Sequence, residues 1–478
     1  MSSRVIGRTV EMQVMREALE ASEASFLVIY GRRRVGKTFL VREYLAKSLV
    51  FDLTGAAQVG LKGQLDHFYA QYILRSRGHQ GLVFPQSWDE AFRYLANYLQ
   101  NLKRKKVVVF LDELPWLDTP KSGFIPALDH FWNQYASKLP QVLLVGSGSA
   151  TSWMEKKLIK AQGGLHNRIT HRIQLKPFNL AETELFCLQR KVRLTRYQII
   201  QLYMVMGGIP YYLNALKPGK SVTQLVDEIC FNSHGLLNDE YNILYKSLFK
   251  YHEHHLKVIK ALAVKPEGLT RYEIEKITKL AEGGTITRTL DELEINGFIS
   301  RYKPFNRLVK DSIYKLTDLY TQFYLRFIEP HKSGGQGSWA SLAQGRLYST
   351  WCGYAYENLC FLHIDQIKQA LGILGVYTEI SAWRYRGDDD EQGAQIDLVI
   401  DRQDGIIHLC EIKFTNSELN LNKELINELR RKRGLFNRIT GTRKSTLTTL
   451  ITTYPAKRNS YYFEEIQAEI NMEQLFHH

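Results

Sequence analysis

The chain has 478 residues, 44% hydrophobic and 23% charged, which is the composition of an ordinary globular protein of about three domains. The longest clean apolar run, Val107 to Leu111, is far shorter than the ~20 residues that span a bilayer, so no membrane-spanning helix is predicted. The formal net charge of +14 predicts a polyanionic partner, with nucleic acid first and an anionic membrane surface second.

The five cysteines are scattered and odd in number, and none forms a C-x-x-C pair. A disulfide framework or a zinc site is therefore not predicted, and a reducing cytoplasm fits this usage. The first residues, MSSRVIGR, lack the apolar core of a signal peptide. We therefore expect a cytoplasmic protein that does not bind membranes.

Residues 31–38 read GRRRVGKT and follow the apolar run 26–30, so a strand, a loop and a helix come in succession. This is the G-x-x-x-x-G-K-[ST] loop in the context that binds nucleotide phosphates. Its glycines let the backbone curl, so that successive N–H groups point at a polyphosphate. The lysine reaches the β- and γ-phosphates, and the threonine hydroxyl binds Mg²⁺. We assign ATP binding to all eight residues: Gly31, Arg32, Arg33, Arg34, Val35, Gly36, Lys37 and Thr38.

The apolar run 107–111 ends in two acidic residues, Asp112 and Glu113. Such a run predicts a strand buried on both faces, as in a parallel sheet with helical crossovers. We expect Asp112, at the strand's carboxyl end, to hold the Mg²⁺ shell and Glu113 to polarise the attacking water as a general base.

The apolar run 141–146 continues into small polar residues, Ser147 and Ser149. Either serine could sit between the two earlier strands and contact the γ-phosphate or the water. Both are equally well explained as turn formers. We choose Ser147 as the candidate nucleotide contact.

Together these motifs resemble an archaeal and bacterial subfamily of AAA+ ATPases, the STAND-like archaeal ATPase group, which often carries a C-terminal nuclease-like domain. The resemblance covers roughly residues 1–240 and includes Gly7-Arg8 near the start and GGIPYYL at 207–213. It implies an ATP-binding core, a helical lid that contributes residues 207–210, and homo-oligomers formed through the ATP site.

In AAA+ rings an arginine just before the last core strand reaches the γ-phosphate of the neighbouring subunit. Its charge would stabilise the transition state there. Arg168 and Arg172 stand at this point of the chain. A surface arginine with no catalytic role is an equally good explanation of either, and Arg168 is our candidate.

Residues 249–331 contain three helical stretches followed by a β-hairpin, which is the order of a winged helix-turn-helix. Basic and hydroxyl side chains on the third helix and at the hairpin tip could contact DNA phosphates or base edges. Acidic residues further along that helix instead favour packing against another domain, and both alternatives stay open. The residues concerned are Thr285, Thr287, Arg288, Lys303, Arg307 and Lys310 on the DNA side of the argument and Asp291, Glu292 and Glu294 against it.

Residues 393–414 predict two strands joined by a three-residue turn at 403–405. In that register Asp397 lies opposite Glu411, and Lys413 shares the face of Glu411, whereas a one-residue slip would separate them. Two carboxylates can hold a hard cation with room for water and phosphate oxygens, and the lysine can position the water. The set suits Mg²⁺- or Mn²⁺-assisted phosphodiester hydrolysis. A surface ion-pair ladder is disfavoured because the charges interrupt an apolar strand.

The hairpin resembles the PD-(D/E)xK nucleases, the fold of restriction endonucleases and Holliday-junction resolvases, over about residues 350–460. The dipeptide at 395–396 departs from the proline or small residue that many members have before the aspartate. A helix upstream carries an acidic residue that matches the one usually found on the first helix of that fold. The resemblance assigns catalysis to Glu357, Asp397, Glu411 and Lys413, and the metal to Asp397 and Glu411.

A basic stretch follows at 430–433, with Arg438, Arg443 and Lys444 beyond it. It could track DNA phosphates, which would make binding salt-dependent, or it could be a solvated helix face. The sequence does not separate these two alternatives.

The sequence thus predicts a multidomain α/β protein. Its parts are a P-loop AAA+ parallel-sheet core (1–175), a helical lid (176–248), a winged helix-turn-helix (249–331), a linker (332–338) and a restriction-endonuclease-like α/β domain (345–478). We expect an ATP-hydrolysing protein that binds DNA and cleaves it with a metal ion under control of the ATPase. The alternative is a nucleotide switch whose nuclease-like domain grips DNA or a protein without cleaving.

Overall fold

The structure, a computed structural model, describes residues 5–76, 83–160, 164–249, 251–281, 283–306, 311–332, 335, 337–387 and 391–477. The chain forms two compact units, Met1–Pro177 and Phe178–His478. Within the described ranges, no helix combines the length and the apolar character needed to cross a bilayer. The boundaries predicted inside the second unit stay predictions.

The first unit is a five-stranded sheet with helices between its strands. The strands lie in the order β2-β3-β4-β1-β5, and every neighbouring pair is parallel, which confirms the predicted parallel sheet. Its elements are α1 (Thr9–Glu20), β1 (Ser25–Tyr30), α2 (Lys37–Tyr44), β2 (Leu49–Thr54), α3 (Leu61–Ser76), α4 (Trp88–Gln100), β3 (Val107–Asp112), α5 (Leu114–Leu117), α6 (Phe124–Gln134), β4 (Val142–Gly148), α7 (Thr151–Met154) and β5 (His171–Gln174).

Strand β4 lies between β1 and β3, as the sequence predicted for the strand that ends in serines. Both β3 and β4 are buried along their whole length, which explains their unbroken apolar runs. Because the carboxyl ends of parallel strands meet at one edge, the loop after β1, the acidic pair after β3 and the serines of β4 come together there.

The second unit contains mostly helices in its first part and a mixed sheet in its last part. Its first elements are α8 (Leu180–Gln189), α9 (Arg196–Met206), α10 (Pro210–Leu213), α11 (Val222–Val226), α12 (Glu240–Leu248), α13 (His252–Val264), β6 (Leu269–Thr270), α14 (Arg271–Thr278), α15 (Gly284–Ile295), β7 (Ile299–Tyr302), β8 (Ile313–Leu316) and α16 (Leu319–Phe323). They are followed by α17 (Ser338–Leu342), α18 (Arg346–Leu362), α19 (Ile364–Ala370), β9 (Thr378–Gly387), β10 (Gln392–Arg402), β11 (Ile406–Lys413), α20 (Lys423–Thr440), β12 (Ser445–Thr452), α21 (Ser460–Glu465), β13 (Ala468–Ile470) and α22 (Met472–Leu475).

The C-terminal sheet has the strand order β13-β12-β11-β10-β9. Strands β9, β10 and β11 are antiparallel, whereas β11, β12 and β13 are parallel. The hairpin of β10 and β11 pairs Leu398 with Cys410 and Asp401 with Ile407, which is the predicted register. The pairing of β10 with β9 shifts between Ile396 and Val399, so a bulge or irregularity lies in the segment of Asp397 and Leu398.

The predicted linker at 332–338 ends in a packed helix, because α17 begins at Ser338. The Asp227 carboxylate accepts the backbone N–H groups of Gly337 at 2.8 Å and Trp339 at 3.1 Å. The Trp339 side chain is buried and its ring lies 5.0 Å from that of Phe323. The buried Asp227 carboxylate and the Trp339 ring therefore fix the backbone where the predicted linker ends.

The turn after β7 packs against the C-terminal sheet. The Phe305 ring lies 4.9 Å from that of Phe436 on α20, and the Phe305 N–H donates to the Ala382 carbonyl at 3.4 Å. This contact involves Phe305 alone, so DNA contact and packing both remain predictions for the hairpin tip. Two of the basic residues predicted there, Arg307 and Lys310, lie outside the described residues.

Trp88 on α4 is expected to be central to the stability of the first unit. Its side chain is 1% exposed, and its ring lies 5.0 Å from that of Phe124 and 5.6 Å from that of Phe92. Trp88→Ala should destabilise this unit by about 3–5 kcal/mol, because it leaves a cavity in the aromatic core. Denaturant unfolding of the full chain measures the change, with the 68% exposed Leu74→Ala as control. Equal losses in the two variants would contradict the assignment.

Candidate functional site

The loop between β1 and α2 uses backbone conformations that favour glycine. Gly31 has φ 146°, and a Cβ at this position would lie 2.2 Å from the carbonyl oxygen of Leu175. Gly36 has φ 93°, and Arg34 between them has φ 73°. The loop therefore curls as the phosphate-binding motif requires, and no larger residue fits at Gly31 without moving the backbone.

Lys37 is buried inside this loop. Its ammonium donates to the carbonyl oxygens of Gly31 at 2.9 Å and Arg32 at 3.0 Å, and to the Ser149 hydroxyl at 2.9 Å. Burial lowers the pKa of Lys37 to about 8, although the nearby Glu113 charge opposes the shift. The lysine thus carries a positive charge that protein groups compensate only in part, which suits a site for a polyanion.

Thr38 and Asp112, the predicted magnesium ligands, are in direct contact. The Thr38 hydroxyl donates to one carboxylate oxygen of Asp112 at 2.8 Å, and the Ser147 hydroxyl donates to the other. Burial raises the pKa of Asp112 in spite of these two hydrogen bonds. A hydroxyl and a carboxylate beside a phosphate loop are the ligands that Mg²⁺ takes in such sites, so the donor set fits this ion.

Ser149, the serine that directly follows β4, holds the Glu113 carboxylate. The Glu113 backbone has φ 53°, a conformation that residues other than glycine rarely adopt. The Ser149 N–H donates to one Glu113 carboxylate oxygen at 3.0 Å, and the Ser149 hydroxyl donates to the other. The two serines that the sequence could not separate therefore differ, since Ser147 contacts Asp112 and Ser149 bridges Glu113 and Lys37.

The remaining predicted nucleotide residues lie around the loop. Arg32 and Val35 are buried, whereas the Arg33 guanidinium lies 5.9 Å from the ring centroid of Trp116. Arg8 donates to the Val35 carbonyl at 3.3 Å and so ties the start of α1 to the loop. Arg168 lies in a short 3₁₀ turn at 166–168 and is exposed.

The second candidate site lies in the C-terminal sheet, where Asp397 and Glu411 are both buried. An oxygen of Asp397 accepts the backbone N–H of Ile412 at 3.1 Å, so the carboxylate reaches across to β11 beside Glu411. Burial raises the pKa of Asp397 to about 6, and the Glu411 charge adds to the shift. Two like charges are thus held together at the bulge of β10.

Two lysines compensate Glu411. The Lys413 ammonium lies 2.7 Å from one carboxylate oxygen, and Lys432 of α20 donates to the other at 2.8 Å. Lys413 was predicted, but Lys432 was counted only within the basic stretch. The spacing did not single it out, because Lys432 and Arg433 both lie three or four residues from the buried Leu429 and Phe436.

Glu357 on α18 faces the same group of charges. Burial raises its pKa to about 8, and the charges of Asp397 and Glu411 act in the same direction. The structure thus gathers all four predicted residues, Glu357, Asp397, Glu411 and Lys413, from one helix and two strands.

A metal at this place would rest on two carboxylates. Across the described ranges, no group of three or more His, Cys, Asp or Glu side chains has metal-holding geometry. Mg²⁺ is often bound by one or two carboxylates together with water and phosphate oxygens, so Asp397 and Glu411 fit it. Glu411 would have to exchange a lysine contact for the ion.

The basic stretch is neither a free phosphate track nor a bare solvated face. Arg430 and Arg433 both pair with the buried Glu465, at 3.1 Å and 2.9 Å. Arg431 pairs with Glu428 at 2.8 Å. Arg438 pairs with Glu391, and Lys444 lies 2.5 Å from Asp401. Ion pairs with carboxylates of the C-terminal region therefore compensate most of the charge of the basic stretch.

Comparison with known proteins agrees with the geometry of the first site. Residues 6–216 match the profile of a family described as the ATPase domain predominantly from Archaea. This part of the chain is similar to archaeal ATPase domains. The match runs past Pro177 into the second unit and includes the stretch 207–210, which connects α9 to α10.

Two further matches cover more of the chain than residues 6–216. An uncharacterized protein of Methanocaldococcus jannaschii is 22% identical over 434 residues, which cover 89% of this chain and 91% of that protein. The solved structure of a Walker-type ATPase of Pyrococcus abyssi is 18% identical, with a TM-score of 0.50 over 68% of this chain and 96% of that one. The second likeness supports the fold, and neither names a substrate for the C-terminal region.

The raised pKa of Glu357 makes stability depend on pH. The folded-state pKa of about 8 lies above the ordinary 4.5, so this group's stabilising contribution is complete below about pH 4.5 and is lost as the pH rises through about 8. Glu357→Gln should therefore be more stable than the wild type at pH 9, by about 1–3 kcal/mol, and equally stable at pH 4.5.

Thermal unfolding of the full chain in the presence of a chelator measures this difference. The exposed Glu379→Gln on β9 serves as control and should follow the wild type at both pH values. A Glu357→Gln advantage that does not change with pH would contradict the assignment.

Proposed function

We propose that the chain is an ATP-dependent DNA nuclease, in which the ATPase domain gates or drives metal-dependent cleavage at the second site. The observation that carries this proposal is the convergence of Glu357, Asp397, Glu411 and Lys413 in one group of charges, in which Asp397 and Glu411 are buried. Burial of two neighbouring carboxylates is costly, and such an arrangement is typical of functional sites. The same residues support a PD-(D/E)xK fold for the C-terminal sheet.

In the ATPase domain, each residue of the site has a separate role in ATP hydrolysis. Lys37 leaves its two loop carbonyls and contacts the β- and γ-phosphates. Thr38 and Asp112 hold Mg²⁺, directly or through water, and the ion supplies charge compensation on the phosphates. Glu113 orients and polarises the attacking water once Ser149 releases it. Arg168, exposed at the end of this unit, would act on a neighbouring copy of the chain in a homo-oligomer.

At the nuclease site, Asp397 and Glu411 would hold Mg²⁺ or Mn²⁺, and the ion would supply Lewis-acid activation of a phosphodiester and its attacking water. Lys413, which now contacts Glu411, would position the water or stabilise the charged phosphate. Glu357 orients water at the edge of this group.

DNA binding is proposed for the middle of the second unit. The elements α13, α14, α15 and the β7–β8 hairpin occur in winged-helix order, and the net charge favours a polyanion. Because the hairpin turn packs on the C-terminal sheet through Phe305, the exposed Thr287 and Arg288 of α15 are the better candidates for DNA contact.

One observation favours a second function, that of a nucleotide switch which grips DNA or a protein without cutting. Both oxygens of Glu411 already contact lysines, so the acidic group is compensated without a metal. Direct measurement of Mn²⁺ binding separates the two functions. Binding that is lost in Asp397→Ala supports the nuclease, whereas a wild-type chain that binds no Mn²⁺ supports the switch.

Two variants should separate ATP binding from hydrolysis. Lys37→Ala should abolish both, because it removes the buried charge that faces the phosphates. Glu113→Gln should keep ATP binding and lower the hydrolysis rate by about 100-fold or more. Equilibrium binding of a fluorescent ATP analogue and phosphate release measure the two effects, with the exposed Glu20→Gln of α1 as control. Hydrolysis at the wild-type rate by Glu113→Gln would remove this residue from the mechanism.

The nuclease is tested on linear, branched and single-stranded DNA with and without ATP, Mg²⁺ and Mn²⁺. Asp397→Ala should lower metal-dependent cleavage by about 100-fold or more, since it removes a proposed ligand. Asp404→Ala, in the exposed turn between β10 and β11, is the matched control and should cleave like the wild type. Absence of cleavage by the wild type on every substrate would rule the nuclease out.

A further inference from the structure

Lys315 is a buried lysine of the β7–β8 hairpin. It lies on β8, next to the buried Leu316, and is 6% exposed. Its ammonium is 5.8 Å from the ring centroids of both Tyr302 and Phe361, so aromatic faces replace part of its water. Within the described part of the chain, no hydrogen bond or ion pair engages this ammonium. Burial of such a group is costly unless a nearby charge compensates it.

The nearby charge is Glu357. Phe361, which contacts the Lys315 ammonium, lies four residues after Glu357 on α18, so both side chains project from one face of that helix. The Asn358 amide donates to the Leu316 carbonyl at 3.3 Å and docks α18 on β8 beside Lys315. The Lys315 charge opposes the upward shift of the Glu357 pKa more strongly than the Lys413 charge does.

One carboxylate of the site, that of Glu357, is not contacted by either of the lysines already described. Three carboxylates are present, and the two lysines described above, Lys413 and Lys432, both contact Glu411. No hydrogen bond engages the Glu357 carboxylate in the described ranges. Lys315 is the third cation, and it compensates the carboxylate that the other two do not contact.

Building on the proposed nuclease function, we propose that Lys315 is a positioning residue of the nuclease centre, supplied by the β7–β8 hairpin and not by the C-terminal sheet. Its ammonium attracts the Glu357 carboxylate and holds it beside Asp397. The centre is therefore complete only while the hairpin is seated on the C-terminal sheet, a position that the contact of Phe305 with Phe436 maintains.

The test uses the full-length chain and three variants. Lys315→Met removes the charge at similar volume, and Lys315→Arg keeps it. Arg301→Met removes a charge from β7 on the opposite face of the same hairpin, because Ser300 and not Arg301 pairs with Lys315. Lys315→Met should lower kcat of Mn²⁺-dependent DNA cleavage by about tenfold or more and leave KM for DNA within about twofold, whereas Lys315→Arg and Arg301→Met should stay close to the wild type.

A second readout needs neither metal nor cleavage. The melting temperatures of the wild type, Lys315→Met, Glu357→Gln and the double variant form a cycle, measured with a chelator at pH 9. Lys315→Met should lower the melting temperature more in the presence of Glu357 than in the presence of the glutamine, because only the carboxylate attracts the ammonium. In cleavage, Lys315→Met should add little to Glu357→Gln.

The results distinguish failure of the role proposed for Lys315 from failure of the proposed nuclease function. A wild type that cleaves, with Lys315→Met equally active or with additive effects in both cycles, overturns the role of Lys315 alone. A loss of activity that Lys315→Arg does not rescue also overturns it, because packing and not charge would then matter. If the wild type neither binds Mn²⁺ nor cleaves DNA, the nuclease function fails, and the role of Lys315 in it fails whatever the melting cycle shows.

Discussion

The like-charge pair of Asp397 and Glu411 is the constraint around which the C-terminal half is organised. Each carboxylate is buried, and each repels the other, so the pair would destabilise the sheet if it were left alone. The surrounding elements compensate it from three directions, through the Ile412 N–H, through Lys413 on the same strand and through Lys432 on α20. The irregularity at Asp397 and Leu398 and the lysine on α20 both follow from this requirement.

The first unit, with its proposed ATP site, uses a related arrangement at the edge of its parallel sheet. There, one buried cation, Lys37, lies beside two acidic residues, and serines from β4 fill the space between them. The network satisfies each charge with loop carbonyls and hydroxyls, which are weaker partners than a polyphosphate with its metal ion. Both sites are therefore stable without a ligand while each keeps charges that a ligand of the opposite sign would bind more strongly.

Short sequence patterns predicted the features of the structure that depend on residues close together in the chain. The eight-residue spacing of the phosphate loop gave its curled backbone, and the turn at 403–405 gave the register that joins Asp397 to Glu411. Such patterns did not predict contacts between segments that are far apart in the sequence. Nothing in the stretch 430–433 ranks Lys432 above its neighbours without knowing which helix face is buried. Likewise, which serine of β4 restrains Glu113 depends on side-chain directions at a strand end, which composition does not encode.

The packing of Phe305 into the C-terminal sheet has a consequence for how this half of the chain folds. Phe305 and Phe436 belong to segments that the sequence assigns to separate domains, yet they share one small apolar cluster with Trp383. A chain cut between the two segments would expose that cluster to water on both fragments. The two segments should therefore resist proteases together and lose their structure in one cooperative step, and neither is a module that could be exchanged between proteins without its partner.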